Sequence, residues 1–287
     1  MIAGVLTSLL GRGLRHYAGP GKVALWQRAA KGLPSGSHTI RLSSGGRMSI
    51  DTSRYWQRLM YAEAFERRSA WLVHRLLSRG EVFIDGGANC GFYSCLAAGA
   101  VGPEGRVLAV EPDTRLLSQL HHQMVINAPV IEIVPAALSN VVGKAAFQIP
   151  PDDIPDGWGL GVASLERHDD WASVTVSTTT LDKICAAQTR PVSLAKLDLE
   201  GHEGQAIAGA ATAMATGRLE SLVVEINDRR TIEALRATTF DLILDIRRGF
   251  TEVSDVGTLD GSHTDIALLR GRAAERWRRL RWRARLL

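Results

Sequence analysis

Short apolar strands alternate with helical segments along most of this chain, and this alternation limits the possible folds more than any other feature. Residues 81–85, 106–111 and 192–199 are near-continuous apolar runs, and segments with helical spacing follow them. Strands of this kind are typically buried on both faces of a parallel sheet whose crossovers are helices. We therefore predict an α/β fold with a mostly parallel sheet and helices on both faces.

The residues before the first of these strands show other patterns. Residues 1–33 have apolar positions at helical spacing, and 39–51 are typical of a β-hairpin that turns at Ser-Ser-Gly-Gly. A helix is expected over 55–79 because Gly80 is a natural C-terminal stop. Farther along, the Ala-rich segment 203–216 predicts another helix.

Charge divides the chain into three parts. Residues 1–50 contain seven Lys or Arg and no Asp or Glu, and residues 270–287 carry a net charge of +7. Because the whole chain has a net charge of +4, residues 51–269 carry −10. We predict a basic N-terminal extension over 1–54, a main domain over 55–270 and an arginine-rich C-terminal tail over 271–287.

The arginine-rich tail has an apolar stripe at helical spacing, formed by Ala273, Trp277, Leu280, Ala284 and Leu287. A helix of this composition suits a membrane surface with anionic headgroups. An inert solvated tail and an RNA-contacting arm are the alternatives that the composition leaves open. Nucleic acid is disfavoured as a partner because the acidic main domain offers no positively charged groove.

The expected location is the cytoplasm. Cys90, Cys95 and Cys185 form neither a disulfide framework nor a zinc motif, which suits a reducing compartment. No apolar run approaches the roughly 20 residues of a bilayer-spanning helix, and the apolar start lacks the features of a secretory signal. The tail adds the expectation of a peripheral contact at the inner membrane surface.

A glycine-rich turn follows the first strand of the alternating region. The sequence Asp-Gly-Gly-Ala-Asn-Cys-Gly over 85–91 lets the backbone pass close to a ligand before a helix begins. Ala88 replaces the middle glycine of a dinucleotide-binding turn, and Asp85 would face phosphate, so a nicotinamide cofactor is disfavoured. Asp85 instead favours a ligand with an ammonium or sulfonium group. Glu111 ends the next strand, where a carboxylate is expected to accept both ribose hydroxyls of an adenosine cofactor.

Charged side chains also meet at the end of a later strand. Lys196, Asp198 and Glu200 alternate along that strand, so they lie on the same side of it. His202 and Glu203 then open the next helix. His202 is the candidate general base because imidazole titrates near neutral pH; an exposed residue in the first helical turn is the alternative.

Six motifs occur in order along the main domain. They are Val-Phe-Ile-Asp-Gly-Gly-Ala-Asn, Val-Leu-Ala-Val-Glu-Pro-Asp, Pro-Ala-Ala-Leu-Ser-Asn, Thr-Thr-Leu-Asp, Lys-Leu-Asp-Leu-Glu-Gly-His-Glu and Val-Val-Glu-Ile. This set resembles the FkbM family of S-adenosylmethionine-dependent methyltransferases over about 60–270. The resemblance implies a Rossmann-like class I methyltransferase fold with a mostly parallel seven-stranded sheet, here preceded by an N-terminal helix and the β-hairpin.

The resemblance implies a role for each residue at the strand ends. Those expected to surround the methionine part of the cofactor are Asp85, Gly86, Gly87, Asn89 and Gly91. Those expected beside ribose and adenine are Glu111, Pro112, Asp113, Ala137 and Leu138. Asp198 and Glu200 match the two active-site acids of the family, and Glu225 matches the acid that ends the next strand. Cys90 departs from the aliphatic residue usual in the family, which we interpret as a packing change.

The resemblance favours methyl transfer from S-adenosylmethionine to a hydroxyl of a glycan, glycolipid or secondary metabolite. The predicted catalytic residues are Asp198, Glu200 and His202. This prediction includes no metal, although Asp198, Glu200 and Glu225 sharing a magnesium ion is an alternative. Residues 158–164 are expected to form part of the acceptor pocket or its lid. A nicotinamide-dependent oxidoreductase and a non-catalytic cofactor-binding scaffold at a membrane surface are the competing functions.

Overall fold

The structure is a computed structural model that describes residues 2–15, 21–151, 163–236, 238–259, 264–284 and 287. The helices are α1 (Ile2–Arg15), α2 (Lys22–Ala29), α3 (Tyr55–Tyr61), α4 (Arg67–Leu76), α5 (Phe92–Val101), α6 (Thr114–Ile126), α7 (Leu181–Ala186), α8 (Glu203–Ala208), α9 (Ala211–Ala215), α10 (Arg229–Arg236) and α11 (Gly271–Ala284). The strands are β1 (Ser37–Arg41), β2 (Arg47–Asp51), β3 (Val82–Gly86), β4 (Arg106–Val110), β5 (Ile131–Val134), β6 (Ala137–Leu138), β7 (Gly143–Ile149), β8 (Ala172–Thr179), β9 (Val192–Leu197), β10 (Leu222–Ile226), β11 (Leu242–Asp245), β12 (Thr251–Glu252) and β13 (Thr264–Leu269).

A central sheet has its strands in the order β12-β11-β13-β10-β9-β3-β4-β5. The five strands from β10 to β5 are parallel, whereas β13 is antiparallel to both β10 and β11. The predicted α/β fold is confirmed, with the two-residue edge strand β12 as an eighth member. The chain order changes direction between β3 and β9, and ligands bind at the carboxyl ends of strands beside such a point.

Apolar side chains alternate between the two faces of this sheet, and helices cover both. On one face, Phe83 and Val107 pack in a hydrophobic cluster with residues of α4, α5 and α11. On the other face, Ile84 and Leu108 pack with residues of α8, α9 and α10. All four side chains are buried, which explains why the strands are apolar at nearly every position.

The N-terminal residues contribute to the same core. β1 and β2 form the predicted antiparallel hairpin, and Met48 and Ile50 are buried in the cluster that contains α4 and α5. Trp26 of α2 is also buried; its ring stacks on Tyr61 with the centroids 5.4 Å apart, and its Nε1 donates to the carbonyl oxygen of Arg58 at 2.5 Å. The boundary at residue 54 stays a prediction.

The prediction of one helix over 55–79 was wrong, because a break separates α3 from α4. Within this break, Glu63 and Glu66 have left-handed φ values of 51° and 37°. The Glu63 carboxylate accepts from the backbone nitrogen and the hydroxyl of Ser43 at 2.7 and 2.5 Å. The Glu66 carboxylate accepts from the hydroxyl of Tyr93 at 2.7 Å. Contacts with distant residues therefore override the local helical pattern.

The Ala-rich segment 203–216 likewise forms two short helices, α8 and α9, instead of the one predicted. Gly209 lies between them and approaches Ser139 so closely that a Cβ would stand 2.2 Å from the Ser139 carbonyl oxygen. Its own carbonyl accepts from the backbone nitrogen of Asp182 at 2.8 Å. The interruption is therefore fixed by a tertiary contact that only glycine permits.

The C-terminal tail forms α11, whose apolar stripe packs against the protein. Trp277 and Ala284 are buried, whereas Trp282 is 61% exposed. Arg276 donates to both carboxylate oxygens of Glu81 at 2.8 and 2.6 Å. The side chains expected to contact a membrane are thus largely covered, and Trp282 with the neighbouring arginines faces solvent instead. Among the described residues, no helix combines the length and apolarity needed to cross a bilayer.

Candidate functional site

The turn after β3 brings two strand ends into close contact. Gly87 has a φ of 74°, and a Cβ there would lie 1.9 Å from the carbonyl oxygen of Asp198. At Gly86, a Cβ would lie 2.6 Å from the side chain of Leu138 and 2.9 Å from that of Leu197. Side chains at either glycine would force the ends of β3 and β9 apart.

Asp85 immediately precedes this turn and is the last residue of β3 that has a side chain. It is 2% exposed, and its carboxyl accepts from the hydroxyl of Ser94 in α5 at 2.6 Å. Burial raises the pKa of Asp85 to about 6, although the Ser94 hydrogen bond opposes that shift. Gly91, with a φ of 86°, precedes α5 and closes the turn.

Glu111 is held by two backbone donors at the end of β4. Its Oε2 accepts from the nitrogen of Asn89 at 2.8 Å, and its Oε1 accepts from the nitrogen of Asp113 at 2.9 Å. Burial raises the pKa of Glu111 to about 7. The Asp113 side chain caps α6 and pairs with Arg115 at 2.6 Å. The two carboxyl groups therefore differ. Asp113 is paired with Arg115, whereas Glu111 is fixed at the cavity without a cationic partner among the described residues.

A small cavity of about 50 Å³ lies over these strand ends. Seven of the ten residues that the sequence assigned to the cofactor line it: Gly87, Asn89, Glu111, Pro112, Asp113, Ala137 and Leu138. The other three, Asp85, Gly86 and Gly91, are buried in the turn that supports it. The structure thus brings the predicted set together, and the roles of its members stay a prediction.

Lys196 is the cation at the centre of the acidic side chains. It is 2% exposed; its Nζ donates to Oδ2 of Asp198 at 2.7 Å and lies 3.6 Å from Oε2 of Glu66. The same nitrogen lies 4.6 Å from the centre of the Tyr93 ring. Burial opposes ionisation of Asp198, but the charge of Lys196 holds the pKa of this carboxyl below its usual value. The buried Lys196 and the partly exposed Asp198 therefore form an ion pair.

The other acids of the site have raised pKa values. Burial, followed by the charge of Asp198, raises the pKa of Glu200 to about 8. The same two causes raise the pKa of Glu225 to about 8. Burial raises the pKa of Glu66 to about 7, against the opposing charge of Lys196. The site therefore contains protonated and ionised carboxyl groups together near neutral pH.

A second cavity of about 480 Å³ adjoins the small one. One side of it is aromatic and is formed by Trp56, Phe65, Phe92 and Tyr93. The polar part of its lining consists of the carboxyl groups of Glu66, Asp198, Glu200 and Glu225 and of two cations, Lys196 and Arg54. Gly87, Asn89, Asp198 and Glu200 line both cavities. We refer to the first as the cofactor cavity and to the second as the acceptor cavity, after the roles that are proposed for them below.

Glu200 stands at this junction in a strained backbone conformation. Its φ is 53°, and Gly201 follows with a φ of 97°. The hydroxyl of Ser164 donates to the carbonyl oxygen of Glu200 at 2.9 Å. Non-glycine residues in the left-handed region are uncommon and cluster at functional sites. The strain supports a functional reason for the placement of this side chain.

His202 lines the cofactor cavity, and both of its ring nitrogens have partners. Nδ1 lies 3.0 Å from Oε1 of Glu166, and Nε2 lies 3.2 Å from the hydroxyl of Ser139. The side chain is 13% exposed. Through these contacts His202 joins its own segment to those of Glu166 and Ser139 beside the cofactor cavity. The catalytic assignment of His202 stays a prediction.

Several residues of the acceptor cavity were missed by the sequence analysis. Glu66 and Phe65 belong to the break between α3 and α4, and Tyr93 belongs to α5. One sequence signal could have located Glu66: it is an acidic residue within the segment 55–79, which otherwise has an amphipathic helical pattern. Of the expected pocket segment 158–164, Ala163 and Ser164 line the cofactor cavity, and the rest lies outside the described residues.

The arrangement defines a class of protein: an α/β enzyme with a nucleoside-type cofactor cavity at the switch point of its sheet and an adjoining acidic cavity. A family model described as the methyltransferase FkbM domain matches residues 85–251, more than half of the chain. The chain therefore belongs to the FkbM methyltransferase family. The predicted family, a methyltransferase activity and the S-adenosylmethionine cofactor are confirmed, and O-methylation stays a prediction.

Solved structures similar to this chain include an rRNA methylase from Streptococcus thermophilus, at 11% identity and a TM-score of 0.42, covering 72% of this chain and 96% of that chain. Another is Aeropyrum pernix fibrillarin with natively bound S-adenosyl-L-methionine, at 12% identity and a TM-score of 0.43, covering 82% and 94%. A third is an S-adenosylmethionine-dependent O-methyltransferase from Thermotoga maritima, at 14% identity and a TM-score of 0.41, covering 83% and 79%. The search of curated protein sequences gave no match.

The residues of the cofactor cavity fit S-adenosylmethionine. A Cβ at Gly87 would collide with the Asp198 backbone, so glycine is needed to keep the two strand ends together beside the cavity. The Glu111 carboxylate is fixed by two backbone nitrogens and keeps further lone pairs for ribose hydroxyls. Carboxyl groups beside the cavity also suit the positive charge of a sulfonium.

Proposed function

We propose that this protein methylates a hydroxyl group of a glycan, glycolipid or secondary metabolite bound in the acceptor cavity. The observation that carries the proposal is the shared wall of the two cavities, where Gly87, Asn89, Asp198 and Glu200 line both. A cofactor on one side and an acceptor on the other would meet at these four residues. Bringing two reactants together in this way is the main source of catalysis in a displacement reaction.

The lining of the acceptor cavity supports a hydroxylated acceptor. Aromatic rings provide apolar contact area, while a few carboxyl groups can fix the orientation of hydroxyls. The four carboxyl groups outnumber the two cations, Lys196 and Arg54. A neutral or cationic acceptor therefore fits this cavity better than a phosphorylated one.

Glu200 is our candidate for the group that removes the proton of the acceptor hydroxyl. It lines both cavities, and its pKa of about 8, raised by burial, lies in the range where a general base is effective. Asp198 is held in its ionised form by Lys196, which suits a hydrogen bond that orients the same hydroxyl. When bound, S-adenosylmethionine supplies an electrophilic methyl group. The chain's own residues position the acceptor, exclude water and accept its proton.

We also propose a cytoplasmic location with a peripheral membrane contact through the exposed side of α11. Trp282 is 61% exposed and lies among the exposed arginines Arg279, Arg281 and Arg283. Tryptophan and arginine are suited to the headgroup region of an anionic membrane. Such a contact would bring lipid-linked acceptors within reach of the protein.

The test is methyl transfer from radiolabelled S-adenosylmethionine to a panel of neutral glycans, glycolipids and hydroxylated metabolites. We expect label in a product whose NMR spectrum shows a new methyl ether, and transfer that is at least about 100-fold slower with Glu200→Gln. Glu132→Gln is the matched control because Glu132 is a half-exposed acid that pairs with Arg106. A methylated nitrogen in the product would contradict the proposal. Hydride transfer with NAD, or cofactor binding without turnover on any acceptor, would support one of the competing functions.

A further inference from the structure

Carboxyl groups from three elements converge beside the acceptor cavity. Asp198 follows β9, Glu203 begins α8, and Glu225 lies in β10. One oxygen from each of these side chains lies within 4.8 Å of those from the other two. The sequence alone offers Asp198, Glu200 and Glu225 as an alternative cation site, whereas in the structure Glu203 takes the place of Glu200.

Glu203 supplies an independent sign that a ligand belongs in this cluster. Its side chain is fully buried, with 0% exposure. Oε1 accepts from the backbone nitrogen of Leu199 at 2.6 Å and from that of Gly201 at 3.4 Å. Oε2 has no hydrogen-bond partner within the part of the chain that the structure describes. A buried carboxylate oxygen without a partner is costly, so this atom calls for an explanation.

A second buried oxygen in the same place is also without a partner. The side-chain nitrogen of Asn227 donates to Oε2 of Glu225 at 3.0 Å. The side-chain oxygen of Asn227 is buried, and no described residue donates to it. A neutral amide oxygen beside carboxylates is a common member of a site for a hard cation.

Lys196 does not fill this role. Its Nζ contacts Asp198 and Glu66, and the hydrogen bond to Asp198 goes to Oδ2. Asp198 also has a side-chain hydrogen bond with Glu225, so a cation bound here would take the place of the proton between these two carboxyl groups.

We propose that Asp198, Glu203 and Glu225 bind one divalent cation, Mg²⁺ or Mn²⁺, at the floor of the acceptor cavity. Carboxylate and amide oxygens are the ligands that these hard ions prefer. The ion offers a partner to the orphaned oxygen of Glu203. Because Asp198 and Glu225 also line the acceptor cavity, the ion's remaining positions face the space where the acceptor would bind.

The site also has a consequence for catalysis, which rests on the proposed function. A hydroxyl coordinated to a divalent cation has a lowered pKa, so it loses its proton more readily near neutral pH. The cation would then bind the acceptor oxygen. An acceptor with two neighbouring hydroxyls could occupy two open positions of the ion.

For the test, the full-length protein is treated with EDTA, dialysed and then titrated with Mn²⁺. Electron paramagnetic resonance follows the titration. Neither S-adenosylmethionine nor an acceptor is added, so the result does not depend on methyl transfer. We expect one bound Mn²⁺ per chain, which suppresses the six-line signal of the free ion, and displacement by excess Mg²⁺. Glu225→Gln should weaken Mn²⁺ binding by at least about ten-fold, and the surface control Glu132→Gln should bind as the wild type does.

Two outcomes would overturn the site. One is a free-ion signal in the wild type that equals the total Mn²⁺, and the other is unchanged affinity in a folded Glu225→Gln variant. Circular dichroism establishes whether each variant is folded. The wild-type titration decides the question even where a substitution at the buried Glu203 prevents folding.

Discussion

Burial governs the chemistry of individual side chains in this site. Glu200 and Glu225 both have a pKa raised to about 8, chiefly because their charged forms lose hydration. Asp198, which touches Lys196 at 2.7 Å, has a lowered pKa in spite of burial. Carboxyl groups with such different protonation can serve different roles in one reaction, since one can accept a proton while another stays ionised.

The pH dependence of the reaction tests the role of Glu200. The ratio kcat/KM should rise with pH through a midpoint near 8, because Glu200 accepts a proton only when ionised and burial holds its pKa at about 8. Glu200→Gln should lower kcat by at least about 100-fold and remove this dependence. Initial rates from about pH 6 to about pH 9 measure both effects. Full activity in Glu200→Gln would show that another group takes the proton.

A substitution of His202 separates a catalytic from a positioning role. The ring contacts Glu166 and Ser139 at 3.0 and 3.2 Å beside the cofactor cavity. His202→Ala should therefore weaken S-adenosylmethionine binding by about five- to ten-fold, the cost of about one lost hydrogen bond, with a smaller effect on kcat. Calorimetry and steady-state rates measure the two quantities. A large fall in kcat with unchanged cofactor affinity would restore the general-base assignment.

At the scale of secondary structure, local patterns predicted the strands and failed at two helices. β3 was predictable because burial on both faces requires apolar residues along the strand. The breaks at Glu66 and Gly209 were not, because each depends on a residue far away in sequence, Tyr93 in the first case and Ser139 in the second. The first break matters for function, since it places Glu66 in the acceptor cavity.

The packing of α11 leads to a prediction at the same scale. Trp277 is 3% exposed, whereas Trp282 in the same helix is 61% exposed. Trp277→Ala should lower the free energy of unfolding by about 3–5 kcal/mol, because it leaves a cavity in the core. Trp282→Ala should change it by less than about 0.5 kcal/mol. Urea denaturation of both variants measures the difference, and equal stability would contradict the docking of α11.

At the scale of the whole molecule, the basic C-terminal helix α11 packs onto the acidic main domain. Arg276 of α11 pairs with Glu81. The cofactor cavity was largely predictable because its residues follow strand ends in short motifs. The acceptor cavity was not, because it combines residues from α3, α5, β9 and β10. Its lining depends on the tertiary fold, and no single motif contains it.

The most direct test of the account is a calorimetric titration of S-adenosylmethionine, S-adenosylhomocysteine and NAD into the wild type and Glu111→Ala. We expect about micromolar binding of the first two to the wild type and none of NAD. Glu111→Ala should weaken the binding by about ten- to a hundred-fold, because hydrogen bonds from ribose hydroxyls to a carboxylate are lost. Preference for NAD, or equal affinity of Glu111→Ala and the wild type for S-adenosylmethionine, would contradict the site described above.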